Sequence, residues 1–305
     1  MGIFIDIVIV TLCILIITKG AVWVIDSAVT IAHRLGVSEL VIGLTVVAMG
    51  TSAPEFGVTI MAALRGMSDI SVGNIVGSNI FNLGFILGGT AVIRSLKTDS
   101  KVVHRDGTFL LFGTLLLTVL LWDLSLWRLE GIVLFGLLIG YLGYLYWQKE
   151  SLKVDVPSER LRWLDPVLLI VGLSLVIIGS HFLVDSAADL ARAIGISEWV
   201  IGTTIVAAGT SAPEFATSLV AALRGRPGIS VGNLIGSDIF NVFGVLGLAA
   251  IMRNLPVDID ARSNLVMLAM MVLIVLVFMR TGWQVSRREG LVLVALGLAR
   301  WIYSF

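Results

Sequence analysis

The sequence predicts an all-α integral membrane protein of ten transmembrane helices, built as two inverted five-helix repeats in which helices 2, 3, 7 and 8 are broken. Three observations predict it. The 305-residue chain is 57% hydrophobic and only 14% charged, against about 25% charged in soluble domains. Its apolar stretches recur at the length that crosses a bilayer. Shifted by 159 residues, 16 of the 21 residues from Gly36 to Phe56 equal those from Gly195 to Phe215.

A window of about 20 residues, which covers ~30 Å of hydrocarbon, places spans at 3–32, 38–64, 70–93, 107–122, 129–147, 164–193, 197–223, 229–252, 263–280 and 288–304. The first span has no basic segment ahead of its apolar run and has a duplicated counterpart, so it is expected to be retained and not cleaved as a signal. Spans one and six are long enough to tilt or to leave the bilayer. Ala-Ala-Leu-Arg-Gly recurs at 62–66 and 221–225, Ile-Ser-Val at 70–72 and 229–231, and 7 of 10 residues match between Gly73–Asn82 and Gly232–Asn241. Each unit holds five spans, an odd number, so the second copy enters the membrane from the opposite side. The halves are 1–147 and 164–305, joined by a polar linker, 148–163, that carries Lys149, Glu150, Asp155, Pro157, Glu159 and Arg160 and is too short for a regulatory domain.

Charge placement sets the orientation. Formal net charge is zero, which gives no basic field for nucleic acid. In alternate loops Lys and Arg number 14 against 6, with Lys19 inside the first span. By the positive-inside rule both termini face outside and the linker is cytoplasmic. Trp122, Trp127, Trp147, Trp163, Trp199, Trp283 and Trp301 fall near span ends as interfacial anchors. Cys13 is the only cysteine, so neither a disulfide nor a thiolate metal site can form within one chain.

Gly50-Thr51-Ser52-Ala53-Pro54-Glu55-Phe56 recurs letter for letter as Gly209-Thr210-Ser211-Ala212-Pro213-Glu214-Phe215. Each copy puts an acid at membrane depth. A carboxylate there costs at least ~2.5–3.5 kcal/mol, so an intramembrane Glu beside a helix-breaking Pro marks a functional site. Pro54 has no N–H for the Gly50 carbonyl, and Pro213 none for Gly209, so each helix opens and frees backbone oxygen. Carbonyl, hydroxyl and carboxylate oxygens are what hard cations accept.

The second constellation is Gly73-Asn74 to Phe81-Asn82, paired with Gly232-Asn233 to Phe240-Asn241. Glycines four apart make a groove for close helix approach, and Asn74, Ser78 and Asn82 recur every four residues as one polar stripe. Asn233, Ser237 and Asn241 repeat it. A lone stripe can be mere helix glue, and a lone Glu can snorkel beside a Pro kink. Duplication of both, in antiparallel copies, favours a ring of neutral oxygens around two negative charges. Two carboxylates balance one divalent ion, and Ca²⁺, which takes about 6 to 8 oxygens in a flexible shell, fits better than Mg²⁺. If Na⁺ fills the same oxygens, the two ions exclude each other and exchange follows.

These paired Gly-Thr-Ser-x-Pro-Glu and Gly-Asn-x-x-Gly-Ser motifs resemble the two alpha-repeats of the sodium/calcium exchangers, within the cation/calcium exchanger superfamily, in its short prokaryotic form. The resemblance covers essentially the whole chain. It implies ten helices, alternating access by sliding of helices 1 and 6 against the rest, and Na⁺-driven Ca²⁺ export. By position it implies Glu55 and Glu214 as the central Ca²⁺ carboxylates, with Thr51, Ser52, Thr210 and Ser211 supplying hydroxyl or carbonyl oxygens and Ala48 and Ala207 backbone carbonyls. Ser78 and Ser237 match hydroxyl ligands of flanking Na⁺ sites, and Asn82 and Asn241 occupy the third polar position. Asn74, Asn233, Pro54, Pro213 and Asp238 are expected around that shell and not in it. Archaeal relatives and potassium-dependent exchangers carry Asp where this chain has Asn241, which argues against K⁺ co-transport. Asp238, three residues earlier, is expected to face elsewhere on a regular helix, and its replacing that acid is the lesser reading.

The remaining polar residues carry less. Asp26 and its repeat counterpart Asp185 lie toward the ends of helices 1 and 6, as a boundary or gate would require. His181 reads as hydrogen-bonded packing, since its counterpart is Val22. His33 and His104 read as loop residues. The expected protein is a multi-pass transporter of the inner or plasma membrane, with no cofactor, no nucleic acid and no obligate protein partner. Its partners are Ca²⁺, Na⁺ and lipid. The alternatives are a proton/Ca²⁺ or other divalent-cation exchanger, in which the two Glu would take protons, and, more remotely, a cation channel. Proton-coupled relatives usually place an acid where this chain has Thr and Ser, which favours Na⁺. A hydrolase using Ser52 or Ser211 lacks a Gly-x-Ser-x-Gly elbow and a duplicated His base.

Overall fold

A computed structural model describes residues 3–148, 164–195 and 207–303, and the side chains up to Arg300. The chain is helical almost throughout: α1 Ile3–Leu35, α2 Glu39–Thr51, α3 Ala53–Leu64, α4 Ser68–Ile93, α5 Val102–Asp123, α6 Arg128–Trp147, α7 Leu164–Ala193, α8 Ala207–Gly209, α9 Ala212–Leu223, α10 Pro227–Met252, α11 Asp260–Arg280 and α12 Arg287–Tyr303. Among the described residues seven helices are long and apolar enough to cross a membrane, or eight if α2 and α3 count as one broken span. The linker beyond Gln148, and the predicted seventh span before Ala207, lie outside the described residues.

α4 and α10 are the centre. Their apolar windows are 72% and 83% buried, whereas those of α1 and α7 are 28% buried, leaving the latter pair at the periphery. The two halves are intertwined by reciprocal contacts. A Cβ on Gly88 of α4 would stand 2.9 Å from Gly290 O of α12, and one on Gly247 of α10 would stand 3.1 Å from Gly131 O of α6. Those two crossings are one contact seen twice, with each position shifted by 159. Four two-residue strands repeat the pattern: β1 Leu96–Lys97 pairs antiparallel with β4 Gln284–Val285, and β2 Ser125–Leu126 with β3 Leu255–Pro256. α1 and α7 run against each other, each at a glycine, with Gly20 and Gly172 facing at backbone distance.

The structure corrects several expectations. α4 and α10 are continuous and not broken, because neither has an internal Pro; each absorbs an extra residue in a π turn, Asn82–Leu87 and Phe240–Val245. α5 starts at Val102, so His104 is helical, and His33 lies in the last turn of α1. His181 is not packed: its side chain is largely exposed and sits 3.5 Å from Asp185 one turn along.

Candidate cation site at the facing broken helices

α2 and α3 meet at 51° across Ser52, whose φ of −77° and ψ of 10° end one helix and begin the next. The cause is Pro54 in the first turn of α3. Ser211, ahead of Pro213 in α9, takes nearly the same conformation, φ −88° and ψ 7°. Both kinks turn a serine across the gap between repeats. Ser52 Oγ donates to Glu214 Oε1 at 3.0 Å, and Ser211 Oγ donates to Glu55 Oε1 at 3.0 Å. Each acid is therefore held by the other half's motif. All four side chains are fully buried, and the two carboxylates are close enough for their charges to interact. The ion pairs found among the described residues involve neither Glu.

The polar stripes flank this pair. In α10, a Cβ on Gly232 would lie 2.7 Å from Leu40 O and one on Gly236 2.5 Å from Leu44 O, so only glycine lets α10 lie on α2. That approach closes a network. Thr51 Oγ1 lies 3.1 Å from Asn233 Oδ1 and 3.2 Å from Ala48 O, two acceptors for its one proton. Ser237 Oγ is 3.5 Å from both Ala48 O and Glu214 Oε1. Asn233 Nδ2 donates to Thr217 Oγ1 and Ser218 Oγ, each at 3.0 Å, and reaches Glu214 O at 3.5 Å.

For α4, most of the counterpart of α2, the stretch before Ala207, lies outside the described residues. Gly73 is exposed, and no described residue lies within 4 Å of a Cβ on Gly73 or Gly77. Asn74 Nδ2 donates to Thr59 Oγ1 at 3.0 Å and Glu55 O at 3.4 Å, but Ser78 Oγ turns back to Ile75 O at 3.1 Å. Thr210 stands beside Glu55 without a hydrogen bond that satisfies its hydroxyl. Ala207 begins α8, and its side chain lies outside the description.

Asp238 does not face elsewhere. α10 leans on α4 at its π turn, and there Asn82 Nδ2 donates to Asp238 Oδ1 at 2.9 Å while Asn241 Nδ2 donates to Asn79 Oδ1 at 3.1 Å. All four are fully buried. They form a second reciprocal pair, since Asn79 and Asp238, like Asn82 and Asn241, are repeat counterparts. Sequence reasoning missed Asn79, and it missed Thr59 and Ser218, although each of the latter follows its Glu by four residues on the same helix face.

Six buried side-chain oxygens around this centre have no protein hydrogen-bond partner: Glu55 Oε2, Glu214 Oε2, Asp238 Oδ2, Asn82 Oδ1, Asn241 Oδ1 and Thr210 Oγ1. Buried polar atoms are normally satisfied, and carboxylates are costly to bury alone. The donor set is oxygen throughout, and among the described residues no group of His, Cys, Asp and Glu gathers into another kind of metal centre. Such a set suits a hard cation.

The family profile described as Sodium/calcium exchanger protein matches residues 5–147 and 164–299. The chain is 33% identical to the Sodium/calcium exchanger MaX1 of Methanosarcina acetivorans over 94% of this chain and 95% of the relative. It is 34% identical to the Inner membrane protein YrbG of Escherichia coli, over 90% of this chain and 88% of that one. Among solved structures, the sodium-calcium exchanger NCX_Mj soaked with 2.5 mM Na⁺ and 10 mM Sr²⁺ superposes with a TM-score of 0.86 at 32% identity, covering 100% of both chains. Likeness over the full length, in sequence and in fold, leaves one assignment: the chain belongs to the sodium/calcium exchanger family of membrane transporters.

Proposed function

We propose that this chain is a secondary active antiporter that exports Ca²⁺ in exchange for Na⁺ by alternating access, the ions competing for a midplane site built on Glu55 and Glu214. The observation that carries the reading is the crossed pair of bonds, Ser52 to Glu214 and Ser211 to Glu55. It brings two negative charges from separate halves into one buried, oxygen-lined centre. Two carboxylates neutralise one Ca²⁺, and the hydroxyls of Ser52, Ser211, Thr51 and Thr210 with the carbonyls of Ala48 and Ala207 supply further neutral oxygens toward its usual shell of about 6 to 8. Ser78, Ser237, Asn82 and Asn241 flank the pair and serve Na⁺. The same carboxylates cannot neutralise both cargoes at once, so loading one displaces the other. The names of MaX1 and NCX_Mj support Na⁺ as the coupling ion over H⁺.

The topology we infer has ten spans in two inverted repeats, 1–147 and 164–305, with both termini outside and the 148–163 linker in the cytoplasm. The reciprocal contacts of α4 with α12 and α10 with α6 support it, as does the 14 to 6 bias of basic loop residues. The inner or plasma membrane is its place, in keeping with the printed name of YrbG. The test is Ca²⁺ uptake into vesicles carrying the purified protein, under an imposed Na⁺, H⁺ or K⁺ gradient in turn. Uptake driven by internal Na⁺ alone is the expected result. Drive by H⁺ would assign the proton-coupled reading, and flux with no counter-ion a channel.

A further inference from the structure

We propose that Asp238, together with the side-chain carbonyls of Asn82 and Asn241, forms a monovalent-cation subsite that flanks the Glu55 and Glu214 pair, its carboxylate supplied by the second repeat alone. This rests on the exchanger reading and assigns Asp238 a ligand role within it.

Four observations carry the inference. Asp238 is fully buried between α10 and α4, and of its carboxylate oxygens only Oδ1 is engaged, by Asn82 Nδ2 at 2.9 Å. Oδ2 has no protein partner, and the same holds for Asn82 Oδ1 and Asn241 Oδ1, both also fully buried. The amides of Asn82 and Asn241 spend their N–H groups on Asp238 and Asn79, an arrangement that leaves their carbonyl oxygens as the free ends. Asp238 takes part in none of the ion pairs found among the described residues, so no Lys, Arg or His there supplies the missing positive charge.

Charge decides the ion class. One carboxylate with two neutral amide carbonyls balances one positive charge and not the two of Ca²⁺. Asp238 does not merge with the two glutamates into one three-acid cluster among the described residues. The residue before it, Ser237, reaches Glu214 Oε1 at 3.5 Å nonetheless. A cation at Asp238 thus sits beside the exchange site and senses it. Na⁺, a hard monovalent cation, is the fitting cargo.

The repeat explains why a single residue does this. The counterpart of Asp238 is Asn79, which donates Nδ2 to the Asp238 main-chain carbonyl at 3.2 Å and accepts from Asn241. Helix glue needs nothing more than that pair of amides. An acid at one of the two equivalent positions adds charge to the chamber that packing does not require.

Na⁺ and Ca²⁺ equilibrium binding to the detergent-solubilised protein, with Na⁺-driven Ca²⁺ flux measured in vesicles, tests the proposal. Asp238→Asn is nearly isosteric and keeps an acceptor for Asn82. The expected result is the loss of about one bound Na⁺ per chain and a rise of at least about fivefold in the Na⁺ concentration that half-saturates exchange, with Ca²⁺ binding in the absence of Na⁺ changed less than about twofold. An unchanged Na⁺ count overturns the proposal, because the carboxylate is then only a hydrogen-bond acceptor that Asn replaces. Equal loss of Ca²⁺ and Na⁺ binding overturns it too, by placing Asp238 in the shared site. Should Asp238→Asn fail to fold, Asp238→Ser, which removes the charge and keeps a small acceptor, decides by the same Na⁺ count. A wild-type protein that binds Na⁺ at this subsite yet drives no Ca²⁺ flux would end the exchanger reading and leave the subsite standing.

Discussion

Glu55 and Glu214 are two buried acids without a basic partner among the described residues, and the serine that bonds each at 3.0 Å comes from the opposite repeat. Glu55→Gln or Glu214→Gln keeps the shape and the serine contact but removes a charge from the centre. Either should cut Na⁺-driven Ca²⁺ uptake to about 1% or less, since a loss of ~2.8 kcal/mol in binding is about a hundredfold. Near-normal uptake in either variant, with unchanged size-exclusion behaviour, would contradict the site. Ser52→Ala and Ser211→Ala should be milder and alike, because each deletes one hydrogen bond to a charged group, worth ~1.5–3 kcal/mol. Both should weaken Ca²⁺ binding measurably while leaving some exchange. At this scale the sequence was legible where it repeated itself: the duplicated Ser52 and Ser211 meet the duplicated Glu214 and Glu55 across the halves. It misled at Asp238 for a physical reason. Counting residues on one isolated helix says which face a side chain is on, but not which neighbour leans against that face, and here α4 does.

Among the elements, glycine spacing decides how closely two helices lie. Gly236 lies against the backbone of α2 at Leu44. Gly236→Ala must push Leu44 aside, and overpacking of that kind costs about 1–3 kcal/mol. We expect Gly236→Ala to lower the thermal midpoint in detergent and to slow transport. An unchanged midpoint would mean that this close approach has no energetic content. Helix positions were legible from hydropathy because length and apolarity are properties of a single segment. The continuity of α4 and α10 was not. A polar, glycine-rich run without Pro keeps its hydrogen bonds through a π turn, and nothing in composition tells that turn from a break. Pro54 and Pro213 did announce real interruptions, since each removes a donor that no neighbour replaces.

At the scale of the whole molecule, the repeat counterparts α1 and α7 are packed differently, as the proposed alternating access would require of a single state. Val24, Ile25 and Ala28 of α1 are at most 1% exposed. Their counterparts Leu183, Val184 and Ala187 on α7 line a cavity of about 270 Å³, with Gly209 and Phe215 on its other wall. Charge follows the same division. Asp26 of α1 pairs with Arg224 at the end of α9, and Glu39 with Arg226 at 2.6 Å, whereas among the described residues Asp185 of α7 pairs only with His181 on its own helix. The counterpart of Arg224 is Arg65, which forms no ion pair among the described residues. If α1 and α7 shift together and the halves exchange packings, the Asp26 to Arg224 latch opens as an Asp185 to Arg65 latch closes. Exposed pairs of this kind are worth ~0–1 kcal/mol, enough to bias such an equilibrium by up to about fivefold and not enough to lock it. Cysteine pairs read the exchange directly. In a Cys13→Ser background, Asp26→Cys with Arg224→Cys should cross-link readily and stop flux until reduced, whereas Asp185→Cys with Arg65→Cys should cross-link only under ion gradients that turn the carrier over. A second pair that never forms under any gradient, or both bridges closed in one molecule that still transports, would remove the latch from the mechanism.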